Sequence, residues 1–335
     1  MSNARKATVS VSYSGSLSSS IVNERIDNFS YSDPAEGQSD TASFQMSNID
    51  GSIFKHFPKR GDKFSCKIRL SDWDSDGDSK TIDCGMFCTD DETFEGYPLS
   101  CKISGTSVPE KEAFRVTKRS KTWEDIPISG IAGEICGRYG LSLTYDAATI
   151  QIKSMEQSEE EDSSFLKKVC DDYGLAMKVC FGKVVIYDPV RYEGKGSVKT
   201  FDIKDFADGW SYNCTMVGVY TGATIKYTNG EDDTEYACQV GGGSRIFAIS
   251  SKVDSLGEAK IKAAAQVNKE NRSEETFSGT LRGMPGIFST KNFTLTGVPA
   301  PISGKYFIDK ATHDISSGGA YVIKIEAHKV QKAIT

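Results

Sequence analysis

The chain has 335 residues, 38% hydrophobic and 26% charged, with a formal net charge of −6. Its length allows about two or three domains with cores of their own, and its acidic balance excludes a general nucleic-acid or anionic-membrane binder, whose surface needs excess Lys and Arg. No apolar run approaches a membrane span, and Met1-Ser-Asn-Ala-Arg-Lys6 leads into no signal-peptide core, so the chain is expected to be made in the cytosol and to stay soluble.

From Ala7 to about Lys118 the pattern is short alternating runs divided by polar turns. Val9, Val11 and Tyr13 alternate, as do Phe29 and Tyr31; Ser43 to Met46, Phe64 to Leu70, Ile82 to Phe87 and Leu99 to Gly105 follow. Strands at such even spacing predict an antiparallel β-barrel. The basic strip from Arg115 to Lys121, with Lys118 and Arg119, reads as a solvated linker.

Trp123 to Asp188 carries one helix-to-strand unit twice. Cys136 answers Cys170, Tyr139 answers Tyr173 and Leu141 answers Leu175, with Gly140 and Gly174 after each tyrosine. Ile128, Ile131, Ala132, Ile135, Cys136 and Tyr139 form one apolar face at helical spacing, and a glycine just past the last periodic residue closes each helix. Ser158-Glu-Glu-Glu161 predicts the cap of the second helix. Alternating runs at 141–145, 149–153, 177–181 and 184–187 predict hairpins, giving a small α+β module. Two copies with intervening strands are too few and too β-rich for a solenoid.

Past Pro189 the β pattern returns at Phe201. Val217 to Lys226 and Tyr236 to Val240 read as strands around the acidic turn Asn229 to Asp233, and Ser255 to Asn271 as a helix. Phe293 to Thr296, Lys305 to Ile308 and Tyr321 to Ile325 read as closing strands, with turns at Gly283 to Gly286 and Ser316 to Gly319. The predicted class is α+β, mainly β, with two tube-like antiparallel β-barrels and a small α+β module between them. The boundaries are a first barrel over 1–118, the module over 119–190, and a second barrel with one helix over 191–335.

Chemistry is thin. Asp72-Trp-Asp74-Ser-Asp76-Gly77-Asp78, with Asp83 at the twelfth place, has the acidic spacing of a calcium loop, yet strands flank it and a polar hairpin tip reads the same. His56, His313 and His328 sit in no nucleophile or metal spacing, and Gly241-Gly-Gly243 lacks the lysine of a phosphate loop. Glu159-Glu-Glu161-Asp162 offers paired carboxylates for glycoside hydrolysis, but helix capping explains it. Nine cysteines without a Cys-x-x-Cys, the closest being Cys84 and Cys88, read as small buried hydrophobes, Cys136, Cys170 and Cys180 among them. No catalytic centre, metal site or cofactor is expected.

Ordered motifs along the chain carry a resemblance. Asp83-Cys-Gly-Met-Phe87, Asp90 to Pro98, Ile103 to Ser107, Lys121-Thr-Trp123, Gln157 to Leu166, Tyr173-Gly-Leu-Ala176, Gly304 to Ile308, Ala311-Thr-His-Asp314 and Gly318 to Tyr321 together resemble the late control D family. These are baseplate hub proteins of contractile phage tails and of related injection particles such as R-type bacteriocins. The resemblance implies a structural, non-enzymatic virion component of the tail baseplate. It implies a homotrimer whose two barrels per chain present six similar units, adapting a trimeric spike to a hexameric tail tube. The implied partners are the spike, expected as a separate chain, the tube or tube-initiator protein, baseplate wedge proteins and the tape measure protein. No membrane is engaged before contraction, and an acidic lumen would not hold passing DNA. Two other classes stay open on residues alone: a tail-associated peptidoglycan hydrolase using the cluster near Glu161, and a calcium-dependent β-rich binding module using Asp72, Asp74 and Asp76.

Overall fold

The computed structural model describes residues 4–59, 61–107, 113–180, 182–206, 208–228 and 235–335. The first region folds as β1 (Lys6–Ser14), α1 (Ser19–Arg25), β2 (Ile26–Pro34), β3 (Thr41–Ser47), β4 (Lys63–Ser71), β5 (Ser79–Glu95) and β6 (Ser100–Thr106). Alternate residues are buried along these strands, as the period of two predicts. Two features were not legible: α1, capped by Ser18 Oγ on the Ile21 amide, and the continuation of β5 past Phe87 to Glu95.

The middle of the chain forms α2 (Ala113–Val116), β7 (Lys118–Pro127), α3 (Ile128–Tyr139), β8 (Ser142–Asp146), β9 (Gln151–Glu161), α4 (Asp162–Asp172), β10 (Ala176–Cys180), β11 (Lys183–Tyr187) and α5 (Pro189–Glu193). The predicted apolar face of α3 is buried residue for residue, and Gly140 ends it with φ +65°. Three expectations fail here. The basic strip is exposed but is a strand rather than a linker: Lys118 and Arg119 open β7 opposite Glu161 and Glu160 of β9. Ser158 caps no helix either: it lies in a bulge of β9, whose ladder resumes with Glu160 and Glu161 opposite Arg119 and Lys118, and α4 begins only at Asp162. Nor does the first repeat close a hairpin, since β8 pairs parallel with β11 and β9 pairs with β7; only β10 and β11 form one.

The last region contains β12 (Ser197–Asp202), β13 (Trp210–Cys214), β14 (Gly222–Thr228), β15 (Glu235–Gly241), β16 (Ile246–Ile249), α6 (Leu256–Asn271), β17 (Glu275–Arg282), β18 (Asn292–Thr296), β19 (Gly304–Ser316) and β20 (Tyr321–Lys329). The predicted helix is α6, capped by Ser255, but it does not belong to a barrel. Its buried Ala259, Ala263 and Val267 pack on a separate three-stranded sheet of β14, β15 and β16. The acidic turn at 229–233 lies outside the described residues.

The remaining strands form one twelve-stranded sheet. Its first half runs β1-β4-β5-β6-β3-β2 and its second runs β12-β18-β19-β20-β17-β13. Renumbered within each half, both read 1-4-5-6-3-2. Every neighbouring pair is antiparallel in both halves except β12 with β18, which is parallel.

The match extends to single residues. Strand 5 of each half bulges at an aspartate, Asp90 in β5 and Asp309 in β19, which the ladder to strand 6 skips. Just before the bulge, the Thr89 amide donates to the Asp62 carbonyl at 2.8 Å while Gly61 N–H donates to Thr89 O at 3.0 Å. In the second half, Ile308 N–H donates to Lys291 O at 2.8 Å and Thr290 N–H to Ile308 O at 3.0 Å. Gly61 and Thr290 both hold a positive φ, +86° and +62°. Registers carried through the ladders align Tyr31 with Tyr212, Ser30 with Ser211, Ser43 with Ser278, Phe64 with Phe293, Thr93 with Thr312 and Lys102 with Lys324.

Each half rolls over an aromatic cluster. Phe44 of β3 meets Phe64 of β4 edge-on at 5.2 Å, and Phe277 of β17 meets Phe293 of β18 at 6.2 Å, although neither pair of strands is adjacent in the sheet. The mainly β class is as predicted, but the barrels are not closed: among the described residues no ladder joins β1 to β2 or β12 to β13. The reason for the first is direct. The outer edge of β2 is taken by β19 from Asn28 to Pro34, and a given stretch of edge pairs once. One apolar core runs under both halves.

Candidate functional site

The seam where the halves meet is the feature from which a function can be built. β2 and β19 pair antiparallel, Lys310 opposite Pro34 through Ser316 opposite Asn28. On the core face Tyr31 stacks on His313, ring centres 5.7 Å apart, and His313 Nδ1 lies 2.7 Å from the Tyr321 hydroxyl. Burial pushes the His313 pKa down to about 4, so the ring is neutral. On the opposite face Asn28, Ser30, Ser43, Gln45, Lys102 and Asp314 border an open groove. Charges there are matched, Lys324 with Asp314 at 2.9 Å and Lys310 with Glu326 at 3.3 Å, so the overall acidity of the chain is not gathered on this face.

A buried ionic pin ties the middle module to both halves. Lys178 of β10 contacts Asp33 of β2 and lies 3.0 Å from Asp40, while Ser289, ahead of β18, donates its amide to Asp33 at 2.7 Å. Burial lifts the Asp40 pKa to about 6 against the pull of Lys178, and burial of Lys178 is outweighed by its two carboxylates, so its pKa is raised. A second cluster anchors the bulge: His328 Nδ1 is 2.8 Å from Asp309, and Glu193 accepts from Arg272 at 2.7 Å. Burial disfavours charge on His328, yet Asp309 and Glu193 raise its pKa to about 9.

The residues singled out from sequence are spent on structure. Asp72 caps the β4–β5 tip by accepting from the Gly77 amide at 2.6 Å, and Lys80 bridges Asp74 and Asp78. Asp83 sits back on β5, 3.7 Å from Lys67. Among the described residues no three metal-capable side chains converge. Glu160 and Glu161 face the basic end of β7, and buried Asp162 accepts from Tyr139 at 2.7 Å, Gln157 at 2.8 Å and Arg138 at 3.0 Å. The Gly241 to Gly243 run ends β15, packed against Thr221. Cys136, Cys170 and Cys180 are buried, whereas Cys214 is exposed. Sequence reasoning missed β13, whose Ser211-Tyr212 repeats Ser30-Tyr31; that repeated dipeptide was the available signal.

No family model matches the chain. It is 20% identical to the "Probable baseplate hub protein" of Escherichia phage 186 over 344 residues, covering 88% of this chain and 86% of that one. Among solved structures, the 43 kDa tail protein of prophage MuSo2 from Shewanella oneidensis has a TM-score of 0.72 at 12% identity, covering 97% of this chain and 98% of the other. The E. coli c3393 protein, described as a component of the type VI secretion system with structural similarity to T4 bacteriophage tail proteins gp27 and gp5, reaches 0.54 at 11% identity, covering 92% and 74%. In sequence the chain is thus a relative of phage baseplate hub proteins, as its motifs imply, and in structure it has the fold of phage tail proteins.

Proposed function

We propose that the chain is the structural hub of a contractile tail or injection-particle baseplate, without catalytic activity, joining a trimeric spike to a hexameric tube. The observation that carries this reading is the doubled strand order: one polypeptide holds two copies of a single six-strand unit, so three copies present six. The seam supplies the chemistry, which is backbone pairing rather than bond-making. The partners are the spike on one side and the tube or its initiator on the other, together with wedge proteins and the tape measure protein. The hydroxyl-rich, charge-matched face is the lumen-facing surface in this reading.

Native mass measurement on the purified chain, together with imaging of assembled particles, tests the hub. Three copies around the tail axis are expected, and a single copy in both settings would overturn it. For the non-enzymatic part, a peptidoglycan zymogram should show no clearing. Clearing that disappears in Glu161→Gln would establish a hydrolase instead.

A further inference from the structure

We infer that the free edge of β13 pairs with the outer part of β5 in a second copy of this chain, antiparallel, in the register that β2 and β19 already use within one chain. The inference rests on the hub reading and names the contact through which copies join.

Strand 5 of the second half serves two neighbours along one edge. Before the Asp309 bulge β19 pairs with β18, and beyond it the same edge pairs with β2. In the first half, β5 before the Asp90 bulge pairs with β4, but beyond it, among the described residues, Asp91 to Glu95 pair only with β6. A five-residue slot is therefore open where β19 is filled. The strand equivalent to its filler is β13, also five residues long, paired only with β17 among the described residues.

Burial at equivalent positions differs as a missing neighbour would make it. Ala311 and His313 are 0% exposed, while their counterparts Glu92 and Phe94 are only partly buried. Phe29, Tyr31 and Asp33 of β2 are buried, whereas Trp210 is 46% exposed, Tyr212 is half-buried and Cys214 is exposed. Phe94 stacks on Phe57 and Phe54 at 4.9 and 5.3 Å, leaving an aromatic patch beside the slot, since both are about half exposed. An unpaired edge next to exposed aromatic surface is a template for another chain.

Transferring the seam's register places Glu92 opposite Cys214, Thr93 opposite Asn213, Phe94 opposite Tyr212 and Glu95 opposite Ser211 of the neighbouring copy. Phe94 against Tyr212 then repeats His313 against Tyr31. The contact is head-to-tail, so it propagates from copy to copy until the ring closes.

The native exposed thiol makes the register testable by one substitution. Directly opposed residues in an antiparallel pair hold Cβ atoms about 4.5–5.5 Å apart, and the closer pairs admit a disulfide. Glu92→Cys, oxidised in the purified protein and in particles, is expected to give covalent multimers whose joined peptides contain positions 92 and 214, lost on adding Cys214→Ser. Because one of two adjacent pairs has the better disulfide geometry, Thr93→Cys with Asn213→Cys is the second probe. Cross-linking at either pair supports the register. Multimers of unchanged mass without either cross-link overturn this contact and leave the hub standing; a monomer throughout overturns both.

Discussion

The two halves of the twelve-stranded sheet share a strand order, an aspartate bulge and an aromatic floor, and they differ at their edges. In the first half strand 2 is covered by β19; in the second half no described strand covers the outer edge of strand 2. Between strands 2 and 3 the first half needs only residues 35–40, whereas the second accommodates the small sheet and α6. The comparison teaches that duplication preserved what a unit needs to fold, the rolled core and the bulge. The differences lie where units meet each other or other proteins.

The comparison breaks most severely at the pin that holds both halves to the module. Lys178→Met leaves Asp33 and Asp40 buried without a cation, a loss of about 3–5 kcal/mol expected from denaturant unfolding. Retained stability would show that the pin only orients the module. Next is the seam: Thr312→Pro, in a strand flanked on both sides, should cost at least about 3 kcal/mol by removing a ladder bond. The same change at Thr93, flanked on one side, should cost the isolated chain less.

Acid separates the halves chemically. The folded-state pKa of His313, about 4, lies below its unfolded value of 6.5, so the stability it contributes is present above pH 6.5 and lost as pH falls towards 4. A difference of roughly 2–3 kcal/mol between pH 7 and pH 4 is expected from this group. His313→Phe, which installs the aromatic found at Phe94, should flatten that part of the pH profile in urea titrations. His328 runs oppositely, with stability present below pH 6.5 and lost as pH rises through about 9. The smallest expected effect is a gain. Thr290 holds the positive φ that Gly61 holds in the first half, so Thr290→Gly should stabilise by about 0.5–1 kcal/mol, seen as a raised Tm.

Much of this was legible in local pattern. The α3 face, its Gly140 terminator, the strands of the first region and α6 follow from period and caps, because those signals act within a few residues. The misreadings share one cause. Ser158 to Glu161 looks like a helix start by itself and is part of a strand because β9 pairs there with β7, some forty residues away in the chain. At Asp72 to Asp78 residue spacing alone left a calcium loop open beside a polar hairpin tip; β4 and β5 do form a hairpin there, with Lys80 reaching Asp74 and Asp78.

By itself, then, the sequence determined the mainly β character, the repeated helix unit and the absence of a recognisable catalytic motif, since alternation, glycine placement and residue inventory are properties of neighbours along the chain. Only the tertiary structure decided that the two β units, whose likeness the family resemblance implies, are joined edge to edge in one open sheet. Strand pairing is a contact between distant residues, and an edge taken by β19 or left bare at β13 has no local signature.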